Sequence, residues 1–404
     1  MKKLRLLRIY LILATNSIFL ACTSPSFNPS MKSVESFSSK NLQYLIKANL
    51  IGKYSLTKLK PALIKHKDFP SELIDSLKYG LKVYKITYYT EYLDGRSIVA
   101  SGAVIIPDTS ETLDMISYQH GTIIDNREAP SNFTQSIVSY VSPCIFASIG
   151  YITVLPDYIG YGSSSSFPHP YEHGESLATA SRDMIRATRE FIEKKNKINV
   201  SKKLFLSGYS EGASATMALH QLLQEKHPDE FTVTANSSAA GAYDKKAFLE
   251  ATMSKDKQLN FLNYYIWVLD TYNKIYSINL SYSDIYKAPF NSVIETEGVF
   301  ANLSSQNPKD IFKESFINNI KNGTETKMIN AMKANSYYNF VSNSPIQLVH
   351  GTKDNFVPFY NAKNTYDTMI ANGVDITLKK IKKGNHSNIS QQYNLETITF
   401  FKKF

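Results

Sequence analysis

A serine stands at the centre of the pentapeptide Gly-Tyr-Ser-Glu-Gly, which occupies residues 208–212. The apolar residues 204–206 before it predict a buried strand, and residues 213–219 after it predict a helix. A sharp turn between the two lifts the hydroxyl of Ser210 out of the sheet, and the two glycines leave room for that turn. The N–H of Glu211, at the start of the helix, can hold a developing oxyanion. The pentapeptide predicts a nucleophilic serine, although a strand-to-helix turn without catalysis has the same pattern.

An acid and a base that could activate this serine follow later in the chain. Asp354 comes after an apolar run at residues 345–349, and His386 follows a second predicted strand at residues 375–381. An aspartate in this position can accept the Nδ1–H of a histidine and hold its tautomer. Taken singly, Asp354 could be a turn residue and His386 a surface histidine. Because each of the three residues follows a predicted strand, together they predict nucleophilic serine catalysis.

Strands and helices alternate along most of the chain, which predicts an α/β fold built on a mostly parallel sheet with helices on both faces. Strands are predicted at residues 81–92, 97–106, 113–118, 151–155, 204–206, 231–240, 345–349 and 375–381. A helix is predicted at residues 177–194, and another closes the chain.

The alternation stops at residues 245–340, which have helical patterns and no clear strand. A bare loop of that length is improbable, so this segment is predicted to be an inserted helical cap. Its residues Tyr264, Tyr265 and Trp267 fit either the core of the cap or a lining for an acyl chain. The core then comprises residues 81–244 and 341–404.

Residues 1–21 have the pattern of an export signal, with four cations among the first eight residues and then a short apolar run. The segment resembles a bacterial lipoprotein signal in which Cys22 is acylated, although Phe19 and Leu20 depart from its usual pattern. An ordinary signal peptide or an uncleaved anchor remains the alternative. The lipoprotein interpretation predicts an exported protein tethered to a membrane on its periplasmic or cell-surface face.

Residues 22–80 are predicted to form a linker and an N-terminal extension. Residues 40–79 favour helix, interrupted by Pro61 and Pro70. The chain has two cysteines, Cys22 and Cys144, and the second is predicted to be a buried thiol.

Composition excludes several classes of function. The formal net charge is +10, the lysines are scattered, and no basic run is interleaved with aromatics, so nucleic-acid binding is not predicted. The sequence has no C-x-x-C, no H-E-x-x-H and no complete dinucleotide fingerprint, so neither a metal nor a cofactor is predicted. Nothing in the sequence indicates an oligomeric state.

Four motifs together resemble the α/β-hydrolase superfamily, from about residue 81 to the end. They occupy residues 118–122, 156–162, 208–212 and 350–354. Within the superfamily they look like those of secretory lipases and their bacterial lipoprotein relatives, which also carry a helical cap. The chain departs from them at Glu211, where glutamine is frequent, and in the short sequence context of Asn385 and His386.

The resemblance implies hydrolysis of a small-molecule or lipid ester without metal or cofactor. Ser210 would be the nucleophile, Asp354 the acid and His386 the base. The second oxyanion donor would be the N–H of Thr122, after the strand at residues 113–118. His120 in that loop could equally fix a turn, and residues 163–171 are expected to line the substrate entrance.

Two other functions fit parts of this pattern. An exported serine peptidase of the prolyl-oligopeptidase kind, or an amidase acting on short peptides, would use the same three residues. Such peptidases usually carry a propeller domain, and no repeat in this sequence indicates one. A surface lipoprotein that binds a ligand without chemistry is the second alternative.

Overall fold

The structure is a computed structural model that describes residues 43–64, 70–133, 140–195 and 198–404. In this part of the chain, nine strands form one sheet in the order β1-β2-β3-β5-β4-β6-β7-β8-β9. The strands are β1 (Leu45–Tyr54), β2 (Leu81–Glu91), β3 (Ser97–Pro107), β4 (Leu113–Gln119), β5 (Tyr151–Pro156), β6 (Val200–Tyr209), β7 (Val233–Ala239), β8 (Ile346–Gly351) and β9 (Ile376–Ile381). From β5 to β9 every neighbouring pair is parallel, which confirms the predicted α/β fold with a mostly parallel sheet.

The N-terminal extension differs from its prediction, because residues 45–54 form a strand and not a helix. β1 pairs antiparallel with β2 at the edge of the sheet, with Ala48 opposite Ile86. Hydrogen bonds to an existing strand outweigh the weak helical preference of this segment. The helical prediction was wrong here, and the extension lengthens the sheet.

Helices cover both faces of the sheet. They are α1 (Leu56–Ile64), α2 (Ser71–Ser76), α3 (Val141–Ser148), α4 (Gly174–Lys195), α5 (Glu211–Lys226), α6 (Lys245–Met253), α7 (Leu262–Ile275), α8 (Tyr282–Ile285), α9 (Phe290–Glu297), α10 (Pro308–Ile311), α11 (Glu314–Asn322), α12 (Thr326–Ala334), α13 (Tyr360–Ala371) and α14 (Ser390–Phe401). Among the residues described, no helix combines the length and apolar character needed to cross a membrane.

Two buried clusters hold the helices to the sheet. One contains Cys144 of α3 and Tyr393 of α14, and the other contains Met184 of α4 and Leu219 of α5. Cys144 is fully buried, as predicted, and burial raises the pKa of its thiol. These clusters fix the strands whose carboxyl ends carry the candidate site.

Helices α6 to α12 lie between β7 and β8 and share a hydrophobic cluster of their own. This cluster includes the fully buried Ile266 and Tyr272, and it extends to Tyr171 and Val357, which lie outside the helical segment. The segment therefore packs its own core and also contacts the carboxyl edge of the sheet.

A buried ion pair ties the first helix of this segment to the rest of the protein. Lys245 Nζ contacts Glu172 Oε2, and the two side chains are only 2% and 8% exposed. The same ammonium donates to Ala242 O at 2.7 Å and to Ser214 Oγ of α5 at 3.1 Å. Burial raises the pKa of the Glu172 carboxyl group, and the positive charge of Lys245 acts in the opposite direction. Lys245 thus joins α6, α5 and the segment before α4.

Replacing Lys245 by methionine is expected to lower the free energy of unfolding by about 3–5 kcal/mol, because Glu172 then loses its partner while still buried. Lys246→Met is the matched control, since Lys246 pairs with Glu250 in a partly exposed contact of less than about 1 kcal/mol. Thermal and urea unfolding measure the stability of both variants. Adding Glu172→Gln to Lys245→Met should restore part of the loss, and a Lys245→Met protein as stable as the control would contradict the assignment.

Candidate active site

The turn at Ser210 has the tight geometry that its flanking glycines predict. Ser210 has a φ of 58°, a conformation in which an L-residue is strained. A Cβ on Gly208 would lie 2.3 Å from Gly212 O, and one on Gly212 would lie 2.0 Å from Gln119 O. Both glycines are therefore required by close backbone contacts, and Ser210 is held at the junction of β6 and α5.

Three predicted residues meet at the carboxyl edge of the sheet. Ser210 Oγ lies 2.9 Å from His386 Nε2, and His386 Nδ1 lies 2.7 Å from Asp354 Oδ2. They follow β6, β8 and β9, whose carboxyl ends share one edge because these strands run parallel. The continuous hydrogen-bonded path lets His386 take a proton from the hydroxyl while the carboxylate holds its Nδ1–H.

The carboxylate of Asp354 is fixed by four contacts. Its Oδ1 accepts from the backbone N–H groups of Phe356 at 3.0 Å and Val357 at 2.9 Å. Its Oδ2 accepts from His386 and lies 3.4 Å from Nε2 of the buried His350. Burial acts to raise the pKa of Asp354, but the hydrogen bonds and charges of the two histidines lower it to about 2. The group is therefore an anion at any neutral or mildly acid pH.

The loop that carries His386 is held by polar contacts. Tyr209, next to the serine, donates from its hydroxyl to His386 O at 2.6 Å. Asn385 Oδ1 accepts from the N–H groups of Ser387 and Asn388 at 2.9 and 3.0 Å, which closes the turn. The ring of His386 is thereby presented to Ser210.

The opposite side of Ser210 carries the predicted oxyanion donors. Glu211 is the first residue of α5, so its N–H has no partner four residues earlier in the helix. A Cβ on Gly121 would lie 3.4 Å from Ser210 Cβ, which places the loop that contains Thr122 beside the nucleophile. His120 Nδ1 donates to Gly121 O at 2.7 Å, and its Nε2 lies 3.3 Å from Asp157 O, so the ring fixes this loop.

Aromatic side chains form two walls near the serine. On the base side, the Phe356 ring lies edge-on to His386 at 4.9 Å and stacks on Phe261 at 4.3 Å. On the oxyanion side, the hydroxyl of Tyr171 lies 3.2 Å from Thr122 Oγ1, and its ring stacks on Trp267 at 4.1 Å. We call the rings of Tyr171, Phe261, Trp267 and Phe356 the aromatic rim.

The three aromatic residues singled out in the sequence all contact the core of the helical segment. Tyr265 is buried in that core, and its hydroxyl donates to Phe356 O at 2.7 Å. Tyr264 and Trp267 are half-buried and pack against the core from outside; Trp267 belongs to the aromatic rim, and Tyr264 contacts it.

Sequence reasoning missed several residues that the structure brings to the site. Phe356, two residues after Asp354, supplies both a backbone donor and a ring of the rim. His169 was expected at an entrance, but it is buried against the side chain of Glu211. No local pattern marks that contact, because the two residues are far apart in the chain. Residues 1–21 and Cys22, with their predicted signal and lipid anchor, lie outside the described residues.

Comparison with known families gives two partial matches. A model of the secretory lipase family matches residues 130–250, which contain Ser210, and a model of the prolyl oligopeptidase family matches residues 276–404, which contain Asp354 and His386. No curated protein sequence matches the chain.

Solved structures resemble nearly the whole chain. A provisionally assigned hydrolase from Legionella pneumophila is 26% identical, with a TM-score of 0.78 over 89% of this chain and 98% of that one. The rice cell wall degrading esterase LipA from Xanthomonas oryzae is 22% identical, with a TM-score of 0.73 over 88% and 95%. Candida antarctica lipase A is 14% identical, with a TM-score of 0.59 over 85% and 77%.

These findings define the class of the protein. The chain has the α/β-hydrolase fold and resembles secretory lipases, as its motifs predict. It is a hydrolase of the esterase/lipase or prolyl oligopeptidase type.

Proposed function

We propose that the protein hydrolyses carboxylic esters through an acyl-enzyme on Ser210. The observation that carries this proposal is the continuous hydrogen-bonded path from Ser210 Oγ through His386 to Asp354 Oδ2. Such a path activates a hydroxyl that is otherwise a weak nucleophile.

In the proposed reaction, His386 Nε2 takes the proton of Ser210 as its Oγ bonds to the ester carbonyl carbon. The N–H groups of Glu211 and Thr122 hold the oxyanion. His386 then gives the proton to the leaving alcohol, and a water molecule repeats the sequence on the acyl-enzyme. Asp354 stays ionised and stabilises the imidazolium.

The aromatic rim supports a substrate with an apolar group next to the ester. The half-buried rings of Phe261, Trp267 and Phe356 offer apolar surface around Ser210, which is itself only 9% exposed. An apolar acyl or alcohol group gains free energy by leaving water for such surfaces. A lipid ester or a small apolar ester fits this description better than a highly charged one.

A second candidate is cleavage of amides in short peptides. It is favoured by the match of residues 276–404 to the prolyl oligopeptidase family, because that range contains both Asp354 and His386. The same three residues can attack an amide, so the geometry does not separate the two reactions.

We further propose that the protein is exported and is anchored to a membrane by a lipid on Cys22. Support comes from the secretory lipase match and from the signal-like pattern of residues 1–21. Metabolic labelling with a fatty-acid analogue, in the full chain and in Cys22→Ser, tests the anchor. Label that persists in Cys22→Ser would contradict it.

The reaction is tested with p-nitrophenyl esters of increasing acyl length, beside p-nitroanilides of matched acyl groups and of short peptides. Faster turnover of the esters supports an esterase, and the best acyl length shows how much of the aromatic rim is used. Preference for the peptide anilides would support the peptidase. A folded protein that neither turns over a substrate nor reacts with a fluorophosphonate would contradict both and favour a binding protein.

A further inference from the structure

The residue after the nucleophile places a buried carboxylate beside the proposed oxyanion site. The side chain of Glu211 is 1% exposed, and its Oε1 lies 2.9 Å from Nε2 of His169, which is 4% exposed. The backbone N–H of the same glutamate is a proposed oxyanion donor. An uncompensated negative charge here would oppose the charge that develops on the substrate carbonyl.

The hydrogen bonds of His169 define how many protons the pair holds. Its Nδ1 lies 2.7 Å from Ile159 O, and because a carbonyl only accepts, Nδ1 carries a hydrogen. The contact between Nε2 and Glu211 Oε1 then requires one more proton, on either the ring or the carboxyl group. In both arrangements the pair has no net charge.

The other titratable groups around the pair do not supply a free countercharge. They are His120 from the loop after β4, Asp157, Tyr158 and Tyr161 after β5, Tyr171 and Glu172 before α4, Lys245 at the start of α6, and Tyr272 of α7. Lys245 is already paired with Glu172. Burial lowers the pKa of His120 and raises the pKa of each tyrosine, so these groups are neutral. Asp157 accepts from Ser101 Oγ and from the N–H of Ser131.

We propose that His169 is a positioning residue for the hydrolysis, whose shared proton keeps the pair of His169 and Glu211 without net charge beside the oxyanion. Without that proton, the site carries a negative charge that slows formation of the tetrahedral intermediate. The proposal rests on the proposed ester hydrolysis and assigns a residue to it.

The test compares the full-length wild type with His169→Gln, Glu211→Gln and the double variant, using kcat and KM for one p-nitrophenyl ester. At about pH 9, His169→Gln is expected to lower kcat by about 10²-fold, the scale of losing one oxyanion donor. Adding Glu211→Gln should restore kcat at that pH to within about tenfold of wild type, since no charge remains.

The controls separate charge from structure. His173→Gln is the matched control, because His173 is a buried histidine of the same segment that bonds Ser176. It should change the melting temperature but leave kcat within about tenfold of wild type. A double variant no more active than His169→Gln would overturn the proposal.

Two further outcomes are decisive. If His169→Gln does not fold, Glu211→Gln alone decides. Its neutral amide needs no shared proton, so its kcat should stay within about tenfold of wild type, and a loss of about 10²-fold in a folded Glu211→Gln would overturn the proposal. If the wild type neither turns over the ester nor reacts with a fluorophosphonate, the proposed function is wrong. If the wild type is active but Glu211→Gln does not restore the activity of His169→Gln, only the proposed role of His169 is wrong.

Discussion

Replacing Ser210 by alanine is expected to lower kcat/KM for the preferred p-nitrophenyl ester by about 10⁴-fold or more. The substitution removes the oxygen that forms the acyl-enzyme but leaves His386, Asp354 and the oxyanion donors in place. The fold should be intact, because alanine loses only the contact of Ser210 Oγ with His386 Nε2. Steady-state kinetics and thermal unfolding of the purified protein measure the two effects.

A fluorophosphonate probe makes the same test independent of substrate choice. Wild type should react covalently, and Ser210→Ala should not. Ser387→Ala is the matched control, since Ser387 is an exposed serine next to His386 and should leave labelling intact. Persistent labelling of Ser210→Ala would show that another residue is the nucleophile.

The parts of the site that depend on a local sequence pattern could be predicted from the sequence. Ser210 lies in a strand-turn-helix whose two glycines are required, because a Cβ on either would lie within 2.3 Å of a backbone oxygen. The conformation of the serine is thus determined by neighbouring residues. Asp354 and His386 each follow a strand of a parallel sheet, and parallel strands bring their carboxyl ends to one edge. Their meeting therefore follows from topology.

The parts that could not be predicted depend on contacts between distant segments. His169 and Glu172, in the segment before α4 that has no periodic pattern, contact Glu211 and Lys245, the first residues of α5 and α6. Residues 45–54 form β1 because an edge of the sheet was open to them, which the composition of the segment does not reveal. Such contacts are determined by tertiary packing, which outweighs the local preference of a segment for helix or strand.

The charge of Asp354 gives stability a defined dependence on pH. Its pKa falls from 3.8 to about 2 on folding, so its contribution of about 2 kcal/mol is complete above about pH 4. The contribution is lost as the pH falls through about 2, because the unfolded chain then binds the proton first. In Asp354→Asn this loss is absent, so the stability difference from wild type should narrow between about pH 4 and pH 2.

Asp354→Asn is also expected to lower kcat by about 10⁴-fold at neutral pH. The N–H groups of Phe356 and Val357 both donate to the Oδ1 position, so the carbonyl oxygen of the new amide must face them. The NH₂ group of the amide then points at His386 Nδ1, which must accept a hydrogen bond instead of donating one. The proton of that ring therefore lies on Nε2, and Nε2 can no longer accept the proton of the Ser210 hydroxyl.

Asp375→Asn is the matched control, because Asp375 is an exposed aspartate immediately before β9 and should leave kcat unchanged. Steady-state kinetics from about pH 5 to pH 9 measure both variants. Since Asp354 acts through His386 and does not touch the substrate, kcat should fall far more than KM rises. An Asp354→Asn protein whose kcat lies within about tenfold of wild type would show that another acceptor holds His386 Nδ1. The buried His350, 3.4 Å from Asp354 Oδ2, would then be the first residue to replace.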